Sequence, residues 1–344
     1  MSSTQHIALP PPPLGMEPQE PIFIPTPAGF SLAACIAASP IGVLPPLSYD
    51  PEHKMLQVTM PASLLPVPTS NCEVQLRELP GESVVLMYGL HRGPRSELAE
   101  ERVRWMLGLD EDLTLFHHLC ERDRDLSWVA EQKVGRMLRS PSVFEDLVKV
   151  LITTQRPKQA RAICSLLCQT FGRPTRWSGC SFPEPQDIAQ ATASELKVDL
   201  ALGSLGHQIW QLAVLCAEGR PAPETMKRRA PSLSQALCSD DEALFDDLVG
   251  EELAWQERLC DLLLTLPGFG VRSVPKMMRM LGCYDLIEVH HSAVRAFAKH
   301  NPPKRKPKEP ETSHEVMERM YKRLDGFGVY RSLAQSLLLL PRSA

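Results

Sequence analysis

The stretch from Tyr284 to His291 carries Asp285, Glu288, His290 and His291 in close succession. A neutral imidazole takes a proton from water near neutral pH, which makes His290 a candidate base. It supplies no full negative charge, however. Glu288 and Asp285 are the nearest groups that do. Glu288 stands two residues before His290, and in an extended loop that spacing puts both on one side; Glu288 is therefore the candidate carboxylate beside His290. Asp285 lies five residues away, near the preceding helix end. His290 and His291 are neighbours and point opposite ways in an extended loop. With no further ligand in view, no metal site is expected.

A frame for this loop lies just upstream. The segment Glu257 to Leu266 reads as a helix stopped by Pro267 and Gly268, and the segment Val271 to Leu281 reads as a second helix with Pro275 in its early turns, where proline is tolerated. Gly268-Phe269-Gly270 joins them. Two glycines permit positive φ and close backbone approach, and Phe269 can plug the groove between the helices. The N–H groups of Gly270, Val271 and Arg272 are expected to point outward at a helix start, a site for a phosphate oxygen. Arg272, Lys276 and Arg279 follow. From Gly268 to Lys308 there are nine Lys or Arg against two acids, although the whole chain has a formal net charge of −4. Such a patch attracts a duplex, with binding that weakens steeply in salt. The alternative is a structural glycine turn with a solvated basic face.

The elements that must hold this frame can be read in outline. Residues 54–60, 72–79 and 82–89 are short, partly alternating and bounded by Pro, Gly or Asn, and read as strands of a small sheet. Residues 30–38 read as a helix ahead of them. From Ser96 the pattern is helical. Ser142 with Glu145 three positions on is an expected capping box, and the helix behind it is apolar on most faces and so expected to be central. Gly172 and Gly219 are expected helix stops. Thr312 and Glu315 form a second capping box. Residues 240–252 are acidic and expected to be solvated. The fold class is α+β: residues 1–27 a disordered or extended proline-rich segment, 28–95 a β-containing domain, and 96–341 a helical body with its hairpin at 257–281.

Bulk properties exclude little. The chain has 344 residues and 43 % apolar content, enough for more than one domain. Its ten cysteines are scattered with no CxxC pair, so they are expected to be reduced core residues of an intracellular protein. Neither a signal peptide nor a membrane span is expected.

Four segments in order resemble the helix-hairpin-helix DNA glycosylase superfamily, near its 3-methyladenine glycosylase II and 8-oxoguanine glycosylase branch: Asp50 to Met60, Ser140 to Gln155, Leu266 to Gly270, and Glu318 to Leu337. The resemblance spans roughly residues 28–340. It implies a protein that binds duplex DNA, flips a damaged base into a pocket and breaks its N-glycosidic bond; the sequence leaves the oligomeric state open, with a monomer expected. It implies hairpin contacts through Gly268, Gly270, Val271, Arg272, Ser273 and Lys276, and a monovalent cation at the hairpin. It places Gln155 at the wedge that fills the gap in the stack; the alternative is a polar helix-end residue. Lys158 and Arg161 either reach phosphates or merely keep the surface soluble, and the basic loop 301–310 is either a further phosphate contact or a linker.

Three departures matter. The position where such enzymes carry an Asp, which stabilises the cationic sugar, is His290 here, so charge stabilisation of the largest kind in such a site is lost unless Glu288 supplies it. The position of the lysine that forms a Schiff base in relatives that also cut the backbone is Arg272, which stays protonated; a β-lyase step through it is excluded. Ser204 and Leu205 stand where relatives carry an aromatic residue and an Arg. The expectation is therefore base excision without lyase activity, or a catalytically silent DNA-damage binder, or a protein-interaction module that no longer binds DNA.

Overall fold

The computed structural model describes residues 21–62, 72–79, 83–90, 93–175, 179–220, 223–226, 242–303 and 311–339, with backbone alone for 72, 223–224 and 242–253. The loop 304–310 and residues 1–20 lie outside this set, so the expectations placed on them are not carried further.

A five-stranded antiparallel sheet opens the fold, in the order β1-β5-β4-β3-β2. The strands are β1 (Ile22–Pro25), β2 (Ser48–Asp50), β3 (Met55–Met60), β4 (Cys72–Glu78) and β5 (Val84–Tyr88). β3, β4 and β5 follow the alternation seen in the sequence. β1 was hidden: it lies inside the segment expected to be disordered or extended. Ile22 and Ile24 alternate inward and are 3 % and 0 % exposed, pairing opposite Met87 and Val85 of β5. Prolines flank it because β1 is an edge strand, where a missing N–H breaks no ladder. The inner face carries Leu56, Val58, Val74, Leu76, Val85 and Met87 and packs on α1 (Leu32–Ala38) and α2 (Pro94–Leu107) through Leu32, Val103 and Met106.

The helical body forms two lobes, each with its own apolar core. One holds α5 (Val143–Gln155), α6 (Ala160–Phe171), α7 (Pro185–Ala189), α8 (Ser204–Ala217), the end of α9 (Glu242–Thr265), and α10 (Val274–Met280). The other gathers α3 (Thr114–Glu121), α4 (Ser127–Glu131), α11 (His291–His300), α12 (Ser313–Leu324) and α13 (Arg331–Leu338). The hairpin belongs to the first lobe and the His290 loop leads into the second. The acidic start of α9 is helical in backbone; the side chains of that segment lie outside the described residues.

α5 is buried on nearly every face. Ser142 caps it, its hydroxyl accepting from Glu145 N, but the expected box is only half formed. The Glu145 side chain turns inward and pairs with Lys149 Nζ at 2.5 Å, both fully buried. Lys149 also donates to Leu44 O at 3.1 Å. A buried carboxylate with an ammonium one turn away gains more from that partner than from a cap. The Thr312 box, by contrast, is reciprocal with Glu315. Gly172 ends α6 at a negative φ; a Cβ there would lie 2.0 Å from Ser181 O, so close approach is what requires glycine.

Arg139 ties the sheet side to the hairpin helix. Its guanidinium is buried, donates to Trp105 O at 3.1 Å, to Met280 O and to Glu111, and lies 4.3 Å over the Trp105 ring. Tyr284 O–H donates to the same Glu111 carboxylate. This cluster fixes the end of α10, and with it the start of the loop to His290.

Candidate nucleic-acid interface

The turn between α9 and α10 is built from Leu266 to Ser273. Gly268 has φ +79°, and a Cβ there would sit 2.7 Å from Gln208 Oε1 and 3.2 Å from Leu151 Cδ2. Gly270 needs no positive φ; the space above its Cα is open. Phe269 is half-buried against the core of the first lobe, as a plug between the helices must be.

The amide pattern differs from expectation at one position. Gly270 N–H is not free: it donates to Ser273 Oγ at 3.0 Å. Ser273 is 2 % exposed, so its hydroxyl shapes the turn from inside. Ser273 N and Val274 N both donate to Gly270 O. The N–H groups of Val271 and Arg272 have no acceptor among the described residues, and both residues are exposed, Val271 to 70 %. The outward amides are thus those of Val271 and Arg272. Within the turn, Phe269 N donates to Leu266 O at 3.1 Å.

The turn touches the end of α5. Arg272 Nη2 donates to Thr154 O at 3.0 Å, which leaves the next residue, Gln155, exposed. Gln155 Nε2 donates to Gln208 Oε1 at 2.7 Å, the same oxygen that covers Gly268. Arg156 Nη2 donates to Leu202 O at 3.3 Å. Lys158 is exposed, and Arg161 donates to Val43 O at 3.1 Å. Ser204 is exposed at the start of α8, whereas Leu205 is a core residue.

Along α10, Lys276 is half-buried one turn beyond Arg272. Burial is the main cause pulling its ammonium below the usual lysine range, with nearby Glu288 opposing and Arg279 and Arg272 adding to the fall. Arg279 is not part of a surface patch: it is 4 % exposed. Its Nη1 donates to Ser332 Oγ at 3.1 Å and its Nη2 to Glu288 Oε1 at 2.9 Å. The local basic excess read from composition therefore overstates the surface charge.

The structure brings Glu288 and His290 together, His290 Nε2 lying 3.0 Å from Glu288 Oε2. His290 is also the N-cap of α11: its Nδ1 accepts from Ala293 N at 3.3 Å and lies 2.8 Å from Ser292 Oγ. A backbone N–H can only donate, so Nδ1 is the acceptor and the ring proton sits on Nε2, donated to Glu288. Both ring nitrogens are thus engaged. Glu288 is held further by Gln335, which is 1 % exposed, accepts from Glu288 N at 2.7 Å and donates to Glu288 O at 2.8 Å. Burial alone would raise the Glu288 carboxyl; the hydrogen bond from His290 and the charges of Arg279 and Lys276 outweigh it and hold it at about 2. The fixed negative charge of the loop is therefore on Glu288. Asp285 is not a competitor, because its Oδ1 accepts from Arg331 Nε at 2.9 Å and Nη2 at 2.6 Å. His291 is exposed at the start of α11. Gln208, Ser292 and Gln335 were not singled out from sequence, and Arg279 was read there only as a basic residue of the hairpin helix; only Ser292, a small hydroxyl residue at a helix start, carried a local signal.

The fold has the architecture of helix-hairpin-helix DNA glycosylases: a small antiparallel sheet, two helical lobes, and a glycine hairpin ahead of the loop that leads into α11. Solved structures bear this out. The apo 8-oxoguanine glycosylase/lyase of Clostridium acetobutylicum is similar with a TM-score of 0.65 at 13 % identity, over 95 % of this chain and 98 % of that one. The same enzyme bound to double-stranded DNA with cytosine opposite 8-oxoguanine gives 0.64 at 12 %, over 94 % and 96 %. The 3-methyladenine DNA glycosylase of Archaeoglobus fulgidus gives 0.64 at 17 %, over 92 % and 97 %. At these identities the likeness establishes the fold. No protein-family model and no curated protein sequence matches the chain. No helix among the described residues is long and apolar enough to cross a membrane.

Proposed function

We propose that the chain is a base-excision repair protein that binds duplex DNA through the hairpin, inserts Gln155 into the stack, and flips a damaged base for hydrolysis of its N-glycosidic bond without a lyase step. The observation that carries this reading is how α10 connects the three parts. Arg272 joins the exposed turn to the carbonyl beside Gln155, Lys276, one turn further, is near enough to Glu288 to feel its charge, and Arg279 pairs with Glu288 at 2.9 Å. Phosphate grip, wedge and carboxylate are thus tied to one helix. Glu288 supplies the negative charge that opposes a cationic sugar, and His290 holds that carboxylate in place. Arg272 makes no Schiff base.

One observation favours a second reading, a DNA-damage binder that does not excise. Arg279 neutralises Glu288 at 2.9 Å, and His290 has no free lone pair for water. Single-turnover assays on duplexes containing 8-oxoguanine, 3-methyladenine, uracil or hypoxanthine separate the two. Abasic-site formation by the wild type that is lost in Glu288→Gln supports excision. Duplex binding without excision, with activity appearing in His290→Asp, supports the silent binder. The absence of salt-dependent duplex binding contradicts both and leaves a protein-interaction module.

A further inference from the structure

Gln208 stands where three parts of the interface meet. Its Oε1 accepts from Gln155 Nε2 at 2.7 Å. The same oxygen lies 2.7 Å from the point where a Cβ on Gly268 would stand, so this side chain fills the inner side of the hairpin turn. The backbone around Gln155 is tied on both flanks, by Arg272 to Thr154 O at 3.0 Å and by Arg156 to Leu202 O at 3.3 Å. Gln155 itself is exposed, and its side-chain amide is hydrogen-bonded to Gln208. With the backbone fixed and the side chain projecting, the contact with Gln208 is what selects the direction of the Gln155 amide.

A glutamine amide has two N–H donors and one acceptor oxygen. Gln208 takes one N–H. One donor and the acceptor oxygen remain on this exposed side chain, and a glutamine reads a base edge with one donor and one acceptor. Gln208 is anchored on α8, whose buried face carries Ile209 and Leu212 at 0 % exposure. Its reach is therefore set by a rigid element and not by the loop it supports.

We infer that Gln208 is the positioning residue for Gln155: it presents the Gln155 amide to the base left without a partner, and it links the seating of the hairpin to that insertion. The inference rests on the proposed function, in that Gln155 is taken as the wedge. Ordering a long side chain on binding is unfavourable, and a partner that orders it beforehand removes that penalty. The effect belongs to duplexes with a gap in the stack and not to nonspecific phosphate binding.

The test uses the full chain and two duplexes of one sequence, intact or carrying a tetrahydrofuran abasic analogue opposite 2-aminopurine, read by anisotropy and by 2-aminopurine fluorescence. Gln208→Leu is expected to lower the preference for the gapped duplex by about threefold to tenfold. The intact duplex loses less affinity than the gapped one and keeps its salt slope. Gln155→Ala removes the preference, and Gln155→Ala combined with Gln208→Leu is no worse than Gln155→Ala alone. Gln208→Glu, which keeps the acceptor, retains the preference while binding both duplexes more weakly through its charge. Should Gln208→Leu unfold, Gln208→Ala carries the same expectation. A wild-type preference in Gln208→Leu alongside its loss in Gln155→Ala overturns the inference and leaves the DNA reading standing, as does an equal loss for both duplexes. A gap preference untouched by Gln155→Ala overturns the wedge assignment itself, and absence of duplex binding overturns the proposed function.

Discussion

His290 donates its Nε2 proton to Glu288 Oε2 across 3.0 Å, while its other nitrogen caps the helix that begins at the next residue. The two side chains have separate roles, the histidine capping the helix and the glutamate carrying the charge. That separation has a thermodynamic signature. Burial raises the Glu288 carboxyl, but His290, Arg279 and Lys276 together hold it at about 2, against an ordinary 4.5. A depressed carboxylate stabilises the fold above its unfolded-state value, and that contribution is lost as pH falls toward 2. A displacement of this size corresponds to on the order of 3 kcal/mol. Glu288→Gln should be less stable than the wild type by a similar amount near pH 7, because Arg279 stays buried and unpaired. The gap should narrow as pH falls from 4.5. Urea unfolding at a series of pH values checks this, and a gap constant with pH would refute it.

Asp146 behaves in the opposite sense. It is 1 % exposed, and burial pushes its carboxyl up to about 7 despite a hydrogen bond from Ser140 N at 2.8 Å. A raised carboxyl favours the folded state at low pH, and the advantage is lost as pH climbs from about 4 to about 7. Asp146→Asn keeps the acceptor oxygen and removes the charge. It should raise the stability above pH 7 by up to about 4 kcal/mol and make no difference near pH 4. Lower stability of the variant at pH 8 would contradict the assignment.

The two turn glycines should respond differently to an added methyl group. Gly268 combines φ +79° with a Cβ position 2.7 Å from Gln208 Oε1, so Gly268→Ala should destabilise the protein by more than about 1 kcal/mol. Gly270 has open space at its Cβ, so Gly270→Ala should leave the melting temperature unchanged. The new methyl group would stand on the exposed side of the turn and should weaken duplex binding. Thermal melts paired with duplex titrations separate the two effects.

Borohydride trapping tests the exclusion of a lyase step. Arg272 cannot form an iminium, and its guanidinium is engaged with Thr154 O at 3.0 Å. The wild type should therefore give no trapped adduct with an abasic duplex, and Arg272→Lys should give one. Lys276, whose ammonium burial pulls down, is the control. An adduct of the wild type that disappears in Lys276→Ala would show that the amine one turn along does the chemistry instead.

Much of this frame was legible in the chain, and what was missed has a common cause. Alternation exposed β3 to β5, but not β1, whose two isoleucines sit between prolines, nor the three-residue β2. The Leu266 to Gly270 motif announced the hairpin, and the two-residue spacing of Glu288 and His290 in an extended loop foretold their contact. Local pattern could not show that Glu145 would leave its cap for Lys149, since that depends on how deeply α5 is buried. Nor could it show that Arg279 would turn inward to Glu288 and Ser332, or that Gln208 would reach Gly268 across 60 residues. Each of these is decided by which helices pack together, a property of the assembled lobes.

The central claim is that the exposed amides of Val271 and Arg272 seat a duplex. Titration of a fluorescent duplex at several salt concentrations, with wild type and Val271→Asp, addresses it most directly. Val271 is 70 % exposed, so the carboxylate leaves the fold intact while setting a negative charge where a phosphate must sit. The account predicts wild-type affinity that falls with salt at a log–log slope steeper than about −2, equivalent to two or more phosphate contacts, and at least about tenfold weaker binding by the variant at an unchanged melting temperature. Equal affinities for the two proteins, or wild-type binding indifferent to salt, would contradict it.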